Sequence, residues 1–114
     1  SRGFVFASAV SYLLKKPFIL LRKKNKLPAE AHSVDFELEY GTATIEVHKD
    51  SISKGDNVLI IDDLIATGGT AVASCKLIEK LGAEIIGCAF VIELDFLNGR
   101  KKLSKYDIHS LIHY

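Results

Sequence analysis

Two adjacent carboxylates, Asp62 and Asp63, stand shortly before a loop of small residues, Ala66-Thr67-Gly68-Gly69-Thr70. Ionised carboxylates are acceptors only, so a neighbouring pair suits the vicinal hydroxyls of a sugar. Adjacent glycines allow backbone conformations that a Cβ would obstruct. Their N–H groups, with a helix start behind them, can converge on a phosphate. Thr67 and Thr70 add hydroxyl donors. A phosphate touching the carboxylates would be repelled, so the two chemistries must serve neighbouring parts of one ligand. The stretch therefore reads as a cradle for a sugar phosphate, with the acidic pair on the ribose and the loop on the terminal phosphate. No lysine precedes the final threonine, unlike a nucleoside-triphosphate loop, and the G-x-G-x-x-G spacing is absent.

The elements that must position these groups can be read on either side. Residues 58–61 form a continuous aliphatic run, predicting a strand buried on both faces of a parallel sheet and ending at the acidic pair. Residues 71–81 predict a helix with Val72, Cys75, Ile78 and Leu81 inward. A strand, an acidic pair, a glycine loop and a helix start make a ligand site at the carboxyl edge of an open α/β sheet. Upstream, residues 4–14 predict a helix with Phe6, Val10, Leu13 and Leu14 inward, Lys15 and Lys16 in its last turn, and Pro17 as its stop. Residues 18–21 predict a second buried strand that delivers the basic cluster Arg22-Lys23-Lys24 to the ligand edge. Residues 25–35 read as a mobile polar loop. Residues 35–40 and 43–48 alternate in polarity around Gly41-Thr42, predicting a β-hairpin that forms a flap. Residues 84–92 and 108–113 complete the sheet, the latter as an edge strand, joined by a connection with a helical turn. The fold class is α/β: an open parallel β-sheet flanked by helices, with a flexible hairpin flap.

Four stretches carry a resemblance to a known family. They are Ser1-Arg2-Gly3-Phe4, Arg22-Lys23-Lys24-Asn25-Lys26-Leu27-Pro28, Leu38-Glu39-Tyr40-Gly41, and Asp62-Asp63-Leu64-Ile65-Ala66-Thr67-Gly68-Gly69-Thr70. Together they resemble the type I phosphoribosyltransferases and, within them, the members that act on adenine. The resemblance covers essentially the whole chain. It implies transfer of a phosphoribosyl group from 5-phosphoribosyl 1-pyrophosphate to adenine, giving AMP and pyrophosphate in purine salvage. It places Asp62 and Asp63 on the ribose, near the developing positive charge, and residues 66–70 on the 5′-phosphate. Arg2 and Arg22 fall to the pyrophosphate, Arg22 reaching across from a partner subunit of a homodimer, and Lys23 and Lys26 bind substrate. Standing alone, Arg2 is a surface arginine and Glu39 the outer face of a strand. The resemblance puts Glu39 and Tyr40 at the reaction centre, Glu39 managing the proton of the base, and gives Leu64 the role of an apolar wall for the purine. Mg²⁺ is implied, held through the substrate with no direct protein ligand, as is a cytoplasmic location. The family also has an N-terminal stretch that this sequence lacks. It supplies a strand just before the Ser-Arg-Gly loop and much of the adenine contact.

Composition narrows the alternatives. A length of 114 residues suits one small core domain spanning the chain, with 48% hydrophobic and 25% charged residues as in ordinary globular proteins. A formal net charge of +1 gives no global field for nucleic acid or an anionic membrane. No apolar run is long enough to span a bilayer. Cys75 and Cys88 read as reduced core thiols, and neither they nor the four histidines have zinc-ligand spacing. Three other readings are open. A sister transferase on another nucleobase would differ in contacts outside these motifs. A non-catalytic regulator sensing the same donor would need a DNA-binding region that length and charge do not supply. A phosphorylation receiver domain would leave too little chain after Asp63 and no use for the glycine loop.

Overall fold

A computed structural model describes residues 2–23, 31–38, 41–48 and 50–114. In chain order the elements are α1 (Phe4–Leu14), β1 (Arg22–Lys23), β2 (Ala31–Leu38), β3 (Gly41–His48), β4 (Asn57–Ile65), α2 (Gly69–Lys80), β5 (Glu84–Glu93) and β6 (Ile108–His113). Two short 3₁₀ helices, Asp95–Leu97 and Gly99–Leu103, link β5 to β6. The strands form two sheets. One is antiparallel, in the order β1-β3-β2; the other is parallel, in the order β4-β5-β6. Parallel neighbours need a crossover, and α2 supplies it between β4 and β5. The architecture is thus the expected parallel sheet flanked by helices.

The core lies where α2 covers the parallel sheet. Ala71, Ala73, Cys75, Leu77 and Ile78 of α2 meet Ile60 and Ile65 of β4 and Cys88 and Phe90 of β5 in one apolar cluster, which Ile45 and Val47 of β3 join. The inward face of α2 is wider than the sequence stripe. Cys75 and Ile78 are buried as expected, but Val72 and Leu81 are only half-buried, whereas Ala71, Ser74 and Leu77 are covered. Sheets lie against two sides of this helix, so a single stripe is too narrow. Cys75 and Cys88 are buried free thiols, their Sγ atoms 3.9 Å apart.

Three local expectations need correction. Residues 18–21 join no strand; only Arg22 and Lys23 do, and they pair with β3 instead of the parallel sheet. The helix α1 forms as expected, but none of its residues is buried, and Phe6, Leu13 and Leu14 are 41%, 76% and 60% exposed. Its bounds are those expected, but the lysines fall past its last turn: Lys15 is the C-cap, in the left-handed region at φ 54°. β4, finally, is longer than its aliphatic run and only partly covered, with Leu59 39% exposed. One cause joins the exposure of α1 and of β4. Among the described residues β4 pairs with β5 alone, so its other edge is open. A groove of 690 Å³ runs along that edge, walled by Phe4, Ala7 and Val10 of α1, by Ile19 and Leu21, and by Leu59 of β4. Apolar groups that would meet across a further strand face this groove instead.

The hairpin is present, with Leu38 paired to Gly41 and Ala31 to His48. Its first strand starts at Ala31, earlier than the polarity pattern suggested, because backbone pairing with β3 carries through His32 and Ser33.

Candidate active site

The acidic pair does not end the strand. Asp62 pairs with Phe90, and the ladder continues through Leu64 with Ile92 and Ile65 with Glu93. β5 extends far enough to keep β4 in register beyond the aliphatic run, which the sequence of β4 alone does not disclose. The Asp63 N–H donates to Asp62 Oδ1 at 2.9 Å. Asp62 is half-buried, and burial is the main cause that raises its carboxyl above the usual range.

Arg2 and Gly3 come to this pair from the chain start. Arg2 Nε lies 3.0 Å from Asp63 Oδ2. The pair thus has a basic partner that comes from far along the chain. A guanidinium has five N–H donors and Nε is one of them, so Arg2, 79% exposed in its side chain, is braced by Asp63 with its fork still accessible. Gly3 allows this approach. A Cβ there would lie 2.6 Å from Asp62 Cα and 2.7 Å from Asp62 Oδ1.

The glycine loop leads directly into α2, which begins at Gly69 instead of after Thr70. Gly68 is its N-cap at φ 88°, a left-handed conformation that favours glycine. The first helical bond runs from Val72 N–H to Gly68 O, 2.9 Å. The N–H groups of Gly69, Thr70 and Ala71 precede it and have no intrahelical acceptor. No side chain caps this end. Three uncapped donors at the positive end of a helix dipole make an anion cradle. Thr67 is exposed, and Ala66, Gly69 and Thr70 are half-buried, so the loop is reachable from solvent.

Leu64 is half-buried on β4, next to Asp63. Arg22 and Lys23 form β1 in the antiparallel sheet, opposite Glu46 and Ile45. Arg22 Nε is buried and has no hydrogen-bond partner among the described residues. Lys26, Glu39 and Tyr40 lie outside the described residues.

A contributor that the sequence reading passed over is Gly99, whose backbone touches the loop at Gly68. Only the Asn98-Gly99 pair hinted at a turn there. Glu93, Asp95 and His113 form a second polar group, with ligand atoms within 4.8 Å of one another. Arg100 already grips both oxygens of Glu93, so this group is an ion-pair network.

A parallel sheet with an acidic pair and an uncapped helix start on one strand–loop–helix unit defines an open α/β domain with its candidate site at the sheet edge. The family model of the phosphoribosyl transferase domain matches residues 1–112, and the chain belongs to that family. The similar proteins sharpen the class. A curated adenine phosphoribosyltransferase of Pelagibacter ubique is 69% identical over 116 residues, covering 100% of this chain and 66% of its own. The crystal structure of adenine phosphoribosyltransferase from Thermoanaerobacter pseudethanolicus superposes with a TM-score of 0.96 at 52% identity, over 100% of this chain and 66% of that one. The Saccharomyces cerevisiae adenine phosphoribosyltransferase, in complex with adenine and an imino-altritol 1,6-bisphosphate, gives a TM-score of 0.92 at 44% identity, over 97% and 62%. The chain spans just under two thirds of the length of these relatives.

Proposed function

We propose that the protein carrying this chain transfers the phosphoribosyl group of 5-phosphoribosyl 1-pyrophosphate to adenine, releasing AMP and pyrophosphate, and that residues 1–114 are its core domain. The observation that carries this reading is the β4–loop–α2 unit, where Asp62 and Asp63 adjoin a helix start with no side-chain cap. The yeast relative's complex with adenine and a bisphosphate supports the choice of base and donor class.

In this reading a base nitrogen attacks the anomeric carbon, and positive charge develops on the ribose while negative charge builds on pyrophosphate. Catalysis is then positioning plus electrostatics. Asp62 and Asp63 accept from the ribose hydroxyls and lie beside the positive charge. Burial makes Asp62 reluctant to ionise, and a cationic ribose relieves that cost. Residues 66–70 hold the 5′-phosphate. Arg2, braced by Asp63, offers its fork to the leaving group. Arg22 adds a donor from β1; its buried Nε, which has no hydrogen-bond partner among the described residues, supports that role. Lys23 and Lys26 reinforce it. Leu64 walls the purine. Glu39 manages the proton of the base, with Tyr40 beside it. The hairpin β2–β3 closes over the donor to exclude water.

The acidic pair supplies hard oxygen acceptors of the kind Mg²⁺ prefers, but Arg2 already occupies Asp63, so these residues fit a cation held mainly by the donor and touched through water. Such a cation would neutralise the pyrophosphate oxygens. We also place the protein in the cytoplasm as a homodimer; no helix among the described residues is long and apolar enough to cross a membrane.

The test is an assay of the full-length protein with donor, Mg²⁺ and each common nucleobase in turn. AMP and pyrophosphate in equal amounts, with adenine strongly preferred, is the expected result. Turnover with another base and none with adenine would assign a sister activity. Donor binding without turnover on any base would favour a regulator.

A further inference from the structure

The turn after β5 lies directly against the loop between β4 and α2. Gly99 is buried. A Cβ on Gly99 would lie 3.0 Å from Gly68 N and from Thr67 C, and closer still to Ala66 O. Reciprocally, a Cβ on Gly68 would lie 2.8 Å from Gly99 O. Backbone meets backbone here, with no room for a side chain between. A contact this close persists only if the Gly99 turn is itself held, and Arg100 holds it. Its Nε and Nη2 donate to the two carboxylate oxygens of Glu93 at 3.0 and 2.8 Å. Glu93 is 4% exposed and also accepts from Ser110 Oγ at 2.7 Å. The Leu94 N–H donates to Ile65 O at 3.0 Å, tying this turn to the end of β4.

We infer that Gly99 and Arg100 are positioning residues for the phosphate subsite. The Glu93–Arg100 pair seats Gly99 against residues 66–68, and that contact keeps Gly68 in the left-handed conformation that aims the helix-start N–H groups at the ligand. The inference rests on the reading of residues 66–70 as the 5′-phosphate cradle. Neither residue touches substrate; both act through the loop. A general loss of stability would weaken every ligand alike. A displaced loop weakens only those ligands that carry the 5′-phosphate.

Calorimetric titration of the full-length protein with AMP and, separately, with pyrophosphate distinguishes these outcomes, using wild type, Gly99→Ala, Arg100→Gln and Arg100→Lys. Gly99→Ala and Arg100→Gln should weaken AMP about tenfold or more, the scale on which misplacing a binding group acts. Pyrophosphate, which is assigned to Arg2 and Arg22, should stay within about twofold, as expected for a separate subsite. Arg100→Lys keeps the charge but loses the fork, and should fall between. AMP affinity that is unchanged in both main variants, or that falls in step with pyrophosphate, overturns the inference. So does loss of folding in both, because the pair then serves stability alone. Wild-type protein that binds no AMP overturns the cradle reading and this inference together. Wild-type binding beside undamaged variants overturns this inference only.

Discussion

Asp62 combines two opposing demands. Burial raises its carboxyl, so its ionised form costs the fold free energy, while the proposed reaction uses that charge beside a cationic ribose. Asp62→Asn keeps an oxygen to accept the Asp63 N–H and removes the buried charge. Its melting temperature should match or exceed that of wild type, while the barrier rises by ~2–4 kcal/mol, as for loss of one electrostatic stabiliser. Asp63→Asn should lose turnover on the same scale. Its fold should weaken by no more than about 1 kcal/mol, because the Arg2 partner is exposed and solvent-screened. Thermal melts and steady-state rates on the full-length protein check both. Turnover within tenfold of wild type in the double variant would make the acids structural. The pair itself, the glycines and the threonines were legible in the sequence, since their chemistry depends on residue type. The Arg2–Asp63 contact was not, because it joins groups far apart in the chain.

Among the elements, the turn between β5 and β6 is held by a buried charge. Arg100 and Ser110 hold the Glu93 carboxyl down at about 2, against an ordinary 4.5. A depressed carboxyl pKa contributes stability that is complete above the unfolded value and is lost as pH falls toward the folded one. Arg100 is half-exposed, so the contribution is ~1–2 kcal/mol, below the full shift. Glu93→Gln should therefore be less stable than wild type at about pH 6, and the gap should close toward about pH 2.5. Urea midpoints across that range read the effect; a constant gap would assign the loss to packing. The hairpin makes a second prediction. If β2 and β3 close over bound donor, hydrogen exchange in Ala31–Leu38 and Gly41–His48 should slow on adding donor and Mg²⁺. Unchanged exchange would count against a flap. The hairpin and α2 were visible as periodicity, and α1, β5 and β6 as apolar runs. Residues 18–21 were not predictable as a non-strand from their own apolar character, because strand status depends on a partner.

At the scale of the molecule, the main unsatisfied feature among the described residues is the open edge of β4 with its 690 Å³ groove. A strand edge with no described partner, together with the exposed apolar residues Phe4, Val5, Phe6 and Leu59, invites pairing with another extended chain. The 114 residues expressed alone should melt without a cooperative transition, bind a hydrophobic dye and aggregate. Joined to an upstream segment of the kind the resemblance implies, the same residues should melt cooperatively and turn over adenine. Cooperative melting of the short form, with adenine turnover at the long-form rate, would mean that the groove is not a strand site.

By itself the sequence determined the chemistry and the order of the parts: an acidic pair, a glycine loop, a helix start, a basic cluster and an alternating hairpin, each set by residue type and local period. Tertiary structure alone decided which distant parts meet. It brought Arg2 and Gly3 to the acidic pair, carried β4 past its aliphatic run by pairing with β5, and seated Gly99 against the glycine loop. It also left α1 uncovered. The physical reason is common to all four. Burial, pairing and ion contact are properties of two surfaces at once, and one stretch of sequence specifies only one of them.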